Sequence, residues 1–341
     1  MFHDVVDHIT SRNFPEQHLY SRVAYKMDMN KYLGILRWSL QYNDGTSGSD
    51  AKPMDPERVK WLQEAMASQM VDPVDQLKEL IKVLDVPYGE ENKESYSANI
   101  VETLEYVKQW VENLDWASDL YKIGGYKSVV HLLSSHDTKV RAAACEVVGT
   151  VVQNNPQCQD WSMEMEVLPL LIENWSHPDE TEQTKSLMAI GSLVRGHTMA
   201  TLAFIKQFKG VSLLLESFTC SVNMKARKKA IFLLNYLVET IPAIKIASAV
   251  FLVETLNKTI DSDDIDIREN SIDCLTLVAS DHNSRQLVSS EDWACTLSKL
   301  IIIKAAYSTD EMLIESIAYL ESAIQSPFPN KQVDPTLKIS N

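Results

Sequence analysis

Glycine is scarce in this chain: there are 10 in 341 residues. That argues against a turn-rich all-β protein. No apolar run approaches the roughly 20 residues a membrane helix needs, which excludes a span of that kind. The five cysteines (Cys145, Cys158, Cys220, Cys274 and Cys295) are odd in number and never form a C-x-x-C pair. A disulfide framework is therefore not expected, and a reducing compartment fits. Basic residues are outnumbered, 32 against 47 acidic, which leaves a net charge of −15 and no footprint for nucleic acid or an anionic membrane. Phosphate-binding loops, zinc-protease helices, nucleophile elbows and calcium loops are all missing. His131, His136, His177, His197 and His282 are dispersed through turns without ligand spacing, so no metal or cofactor is expected. Glu166, Glu173, Asp179 and Glu180 read as solvated faces and not as an acid–base pair. The chain is thus not expected to be an enzyme. Its first residues, MFHDVVDHITSRNF, lack the apolar centre of a signal peptide, and LKISN at the other end is no retention signal. A cytosolic location is the expectation.

What the chain does have is a repeat. VRAAACEVVGTVV, QTKSLMAIGSLVR, ARKKAIFLLNYLV and IRENSIDCLTLVA superimpose, placing Thr150, Ser192, Asn235 and Thr276 in one column at steps of 42, 43 and 41 residues. Two residues further on come Val152, Val194, Leu237 and Val278, all apolar. A period near 42 with helical patterning predicts an all-α solenoid, an armadillo-repeat right-handed superhelix. Such arrays bind partners. Cys145 and Cys274 fall on the inner faces of these helices, where a cysteine serves as a small core residue.

The expected organisation has four parts. Residues 1–53 form an N-terminal extension with one short amphipathic helix near 30–42 (NKYLGILRWSLQY), followed by the linker NDGTSGSDAKP. Residues 54–97 form a helical cap and linker, with helix starts at Asp55-Pro56 and Asp72-Pro73. Residues 98–325 hold five repeat units, the first centred near Trp110, and 326–341 form a loose, proline-bearing tail.

Binding candidates come from the repeat column. KARKK (225–229) is the one dense basic cluster, either a solvated helix start or part of a groove. Lys185 stands seven residues before Ser192 and Lys228 seven before Asn235. With Arg227, this placement suggests a positive stripe facing an acidic partner surface. Asn235 is either a packing device or a groove-facing binder. Arg195 is either a helix-end charge or a contact residue. Glu239 joins the candidates one turn beyond Asn235.

The string MDPERVKWLQEAMASQMVDPVDQLKELIKVLD, with WLQEAM its most specific part, resembles the capping region of the armadillo-type nucleotide-exchange factors of heat shock protein 70. VRAAACEVVGTVVQNNPQCQ, TKSLMAIGSLVRG and KKAIFLLNYLVE resemble that family's core in the same order, and LGILRWSLQYNDG its short N-terminal helix. The likeness covers about residues 30–325; the unit with Asp263, Asp264 and Asp266 matches least, and 1–28 has no counterpart. The resemblance implies a cytosolic co-chaperone, a monomer whose concave face grips the ATPase domain of heat shock protein 70 and promotes ADP release. It also implies that Leu33, Leu36, Trp38 and Leu40 occupy the chaperone's client site, the alternative being that this helix docks on its own repeats. A different reading is an adaptor that holds an extended peptide in the groove. Against it, only Asn235 fills a column that peptide-carrying arrays fill repeatedly.

Overall fold

A computed structural model describes residues 73–87 and 93–326, with isolated helical positions at 56, 57 and 60. Among these residues there are sixteen α-helices and no strand. A leading pair, α1 (Pro73–Leu84) and α2 (Lys93–Val111), is followed by α3 (Leu114–Lys122), α4 (Gly125–Leu132) and α5 (Thr138–Val152). The triplet recurs as α6 (Pro156–Glu164), α7 (Val167–Ser176) and α8 (Glu180–Val194), then as α9 (Thr198–Lys206), α10 (Gly210–Cys220) and α11 (Met224–Thr240). In the fourth unit a single long helix, α12 (Pro242–Leu256), precedes α13 (Ile265–Ser280). The fifth holds α14 (His282–Leu287), α15 (Ser290–Ala306) and α16 (Glu311–Gln325).

The third helix of each unit starts for the same local reason. Asp137, Asp179, Asn223, Asp264 and Asp310 are the N-caps of α5, α8, α11, α13 and α16, each accepting a hydrogen bond from a first-turn backbone N–H. Helices α2, α5, α8, α11, α13 and α16 then stack side by side in chain order, forming a ladder whose outer side is covered by the other helices. Small residues set the closest rung: a Cβ on Gly149 would come within 3.1 Å of the Ala189 backbone, so α5 and α8 meet almost main chain to main chain. Cys145 and Cys274 are fully buried in the ladder, as their positions predict.

Two expectations shift. Trp110 lies in α2, ahead of the first triplet and edge-on to Trp116 at 4.9 Å. The boundary at 97/98 falls inside α2, because the chain is already helical from Lys93 and Ser97 donates to Asp137 Oδ2 at 2.6 Å. The first cap helix expected after Asp55 lies almost wholly outside the described residues.

The turn between first and second helices demands a left-handed residue in three successive units. Gly124 (φ 87°) fills it in the first, but Glu166 (φ 55°) and Lys209 (φ 54°) fill it in the next two. A side chain at this φ costs about 1–2 kcal/mol, and both side chains are exposed. Glu166→Gly and Lys209→Gly are therefore expected to stabilise the fold by about 0.5–1 kcal/mol each, after the entropy glycine adds to the unfolded chain. Thermal denaturation tests this; a lowered melting temperature in both variants would refute the strain argument.

Candidate interaction groove

Among the described residues, the inner face of the ladder is the side of the third helices that the other helices leave uncovered. Its main concavity, about 560 Å³, lies between the end of α8 and helices α11, α13 and α16. Arg195, at the α8 C-cap, lays its guanidinium 4.1 Å from the Phe232 ring centre and 5.5 Å from that of Tyr236. Its Nη2 donates weakly to the Phe232 carbonyl at 3.4 Å, while Nε is buried without a hydrogen-bond partner. Burial pulls this guanidinium below its ordinary pKa, the response expected of a cation with no carboxylate beside it. The Gly196 N–H donates to Tyr236 Oη at 2.9 Å, which fixes that ring as the groove wall.

Asn235 takes the packing role, and its side chain also lines the cavity. Its Nδ2 donates to the Asn270 carbonyl on α13 at 3.0 Å, tying two rungs together, while Oδ1 has no partner. Glu239 and Asp273 line the same cavity. Burial in the groove raises the Asp273 carboxyl above its ordinary range.

Of the six sequence candidates, the cavity thus unites Arg195, Asn235 and Glu239. The other three are placed elsewhere, and the expected free positive stripe does not form. Lys185 pairs with Glu146 at 2.6 Å, and Lys108 reaches the same carboxylate at 2.9 Å. Burial works to raise the Glu146 pKa, but hydrogen bonds from Lys185 and Lys108 outweigh it and hold the carboxyl below its usual range. Lys228 is held between Asp264 and Asp266, each at 2.8 Å. Arg227 turns away and donates from Nε to the Phe218 carbonyl at 2.8 Å. That is a structural clasp: Arg141, Gln183 and Arg268, likewise four residues after their N-caps, donate to the carbonyls of Ser135, His177 and Ser262. Positive charge at this spacing therefore serves the ladder. The candidate helix residues Leu33, Leu36, Trp38 and Leu40 lie outside the described residues.

Sequence reasoning missed the aromatic lining. Phe232 is 51% exposed and Tyr319 64% exposed, yet both sit in apolar strings that read as core. A usable signal existed: Phe232 is three residues before Asn235, on the column's own face. Among the described residues no group of His, Cys, Asp or Glu is arranged to hold a metal ion, and no helix is long and apolar enough to cross a membrane.

Comparison with known proteins adds two family matches. Residues 33–120 match the model of the nucleotide exchange factor Fes1, and residues 116–250 match the SIL1/FES1/HPBP1 C-terminal domain. Human Hsp70-binding protein 1 is 28% identical over 214 residues, 60% of this chain and 59% of that protein. The chain thus spans less than two thirds of the length of such relatives. Hsp70 nucleotide exchange factor FES1 of Coccidioides immitis is 28% identical over 176 residues, covering 48% of this chain and 77% of that protein. Among solved structures, a designed armadillo repeat protein in complex with the peptide (KR)4 superimposes with a TM-score of 0.60 at 16% identity, over 73% of this chain and 99% of that one. The last likeness bears on the fold alone, which is the all-α armadillo solenoid that the repeat period predicts.

Proposed function

This chain belongs to the SIL1/FES1/HPBP1 family of nucleotide exchange factors, and from that premise we propose that it is a co-chaperone which binds the ATPase domain of heat shock protein 70 and speeds ADP release. The observation that carries the reading is the order of the two family matches. They run consecutively through residues 33–250 and enclose Arg195, Phe232, Asn235 and Glu239 on the groove.

The mechanism requires binding energy and no chemistry of the chain's own. A factor that grips one lobe of the ATPase domain, and prefers the arrangement with the nucleotide cleft open, shifts the chaperone toward that state. Reciprocity then obliges ADP and the factor to weaken each other's binding by the same ratio, typically about 5–150-fold. A rigid ladder suits this task, because its rungs are fixed by ion pairs and cross-helix hydrogen bonds. Asn235 also favours a folded partner over an extended peptide, since its amide is committed to the Asn270 carbonyl. We place the protein in the cytosol as a monomer without enzymatic activity, and assign residues 30–42 to the chaperone's client site.

The deciding experiment mixes saturating protein with heat shock protein 70 loaded with fluorescent ADP and follows release by stopped flow. An acceleration of about tenfold or more is expected. Release at the unassisted rate would sink the proposal.

A further inference from the structure

Most cations on the inner face are already spoken for, but several anions are not. Asp273, on α13, makes no hydrogen bond or ion pair among the described residues, although it lines the main cavity. Glu315, on α16, lines an adjoining cavity of about 350 Å³ that shares Asp273 and Tyr319. Lys228 is occupied by Asp264 and Asp266, and Lys245 lines a third cavity beside Asp281 and is absent from the lining of the main one. Arg195 is the one cation lining the main cavity, and it is stacked on Phe232 and not paired with a carboxylate. The α11–α13–α16 part of the groove therefore presents unbalanced negative charge between two exposed aromatic rings.

We infer that this part of the groove receives a basic side chain of the partner, with Asp273 as its counter-ion and Phe232 and Tyr319 as flanking rings. Aromatic faces attract a cation electrostatically, and a carboxylate lining the same concavity adds direction. The raised Asp273 pKa fits: the groove is unfavourable for the bare carboxylate until a cation arrives to compensate it. Asp273 and Tyr319 both lie beyond residue 250, where the family matches end, so family membership does not assign them. The identity of the partner rests on the proposed function; the preference for a cation rests on the groove.

The test compares Asp273→Asn, Asp273→Glu and the wild type for binding to full-length heat shock protein 70 in its ADP state, at two salt concentrations. The expected result is about a tenfold loss for Asp273→Asn with a weaker salt dependence, and near-complete retention for Asp273→Glu. Circular dichroism should show melting unchanged or slightly raised, because the Asp273 side chain has no partner among the described residues and burial already disfavours its charged form. If the wild type binds and Asp273→Asn binds within about twofold of it, the inference is overturned while the proposed function stands. If the wild type does not bind the chaperone, the proposed function fails, and a fluorescein-labelled hexa-arginine peptide decides the inference alone. Weaker peptide binding by Asp273→Asn, but not by the outer-face variant Glu173→Gln, supports it. Equal losses in the two variants would reduce the effect to net charge and overturn it.

Discussion

Replacing Glu182 by alanine is expected to cost the fold about 3–5 kcal/mol, the largest effect of any single polar substitution in this ladder. Glu182 is 0% exposed and accepts from Arg141 Nε at 2.6 Å and Nη2 at 2.9 Å, a forked pair linking α5 to α8. His177 Nδ1 lies 2.8 Å from the same carboxylate. Removing the carboxylate leaves the Arg141 side chain, only 13% exposed, with its carbonyl and hydroxyl contacts and, as counter-charge, only the Asp137 carboxylate, to which it is not hydrogen-bonded. The cost comes from that poorly compensated buried charge more than from the loss of the pair's attraction. Joint replacement by apolar residues, Arg141→Met with Glu182→Leu, should therefore recover most of the loss. Urea denaturation followed by circular dichroism measures both variants. A Glu182→Ala midpoint close to wild type would show that water compensates Arg141 and that the pair is dispensable. In a quasi-one-dimensional array the damage should also be local, so the units on either side of the α5–α8 rung should begin to unfold separately.

Much of this architecture is legible in the sequence because it depends on short-range rules. The 42-residue period, the N-cap residues and the inward cysteines each follow from neighbours within one or two turns. Other features needed coordinates. Lys185 and Lys228 look alike in the column, yet one pairs backward to Glu146 and the other forward to Asp264 and Asp266. No local pattern states which rung a long side chain will reach. Arg227 misleads for the opposite reason: its neighbours suggest a basic patch, while its distance from the N-cap commits it to a carbonyl. The fourth unit runs as one helix, α12, where the first three triplets break at a left-handed residue, and its opening Pro242 gives no warning of this, since Pro156 opens α6 in the same way. Exposed aromatics are the hardest to recognise, since a phenylalanine in an apolar helix is buried far more often than it lines a groove.

If the proposed chaperone complex forms on this groove, charge reversal of Arg195 is expected to weaken it by about 30-fold or more, the largest binding effect among the groove residues. The argument rests on its setting. The side chain is half-buried, stacked on Phe232 with Tyr236 behind, and one of its nitrogens lacks a partner. A cation already desolvated and held in place loses little entropy when a partner carbonyl or carboxylate arrives, which is how arginine comes to dominate interfaces. Arg195→Lys should fall between wild type and Arg195→Glu, because it keeps the charge but loses the planar stack. Stability should drop by only about 1 kcal/mol in Arg195→Ala, the worth of the stacking contact. The outer-face variant Glu173→Lys should bind as the wild type does, which separates a local contact from the chain's overall charge. Arg227→Ala should behave in the reverse way, with lower melting and unchanged affinity, because its guanidinium holds the Phe218 carbonyl and is absent from the cavity lining. Titration calorimetry of each variant against heat shock protein 70, beside its melting curve, sets the two arginines apart. Equal affinity for Arg195→Glu and wild type would move the binding surface off the inner face altogether.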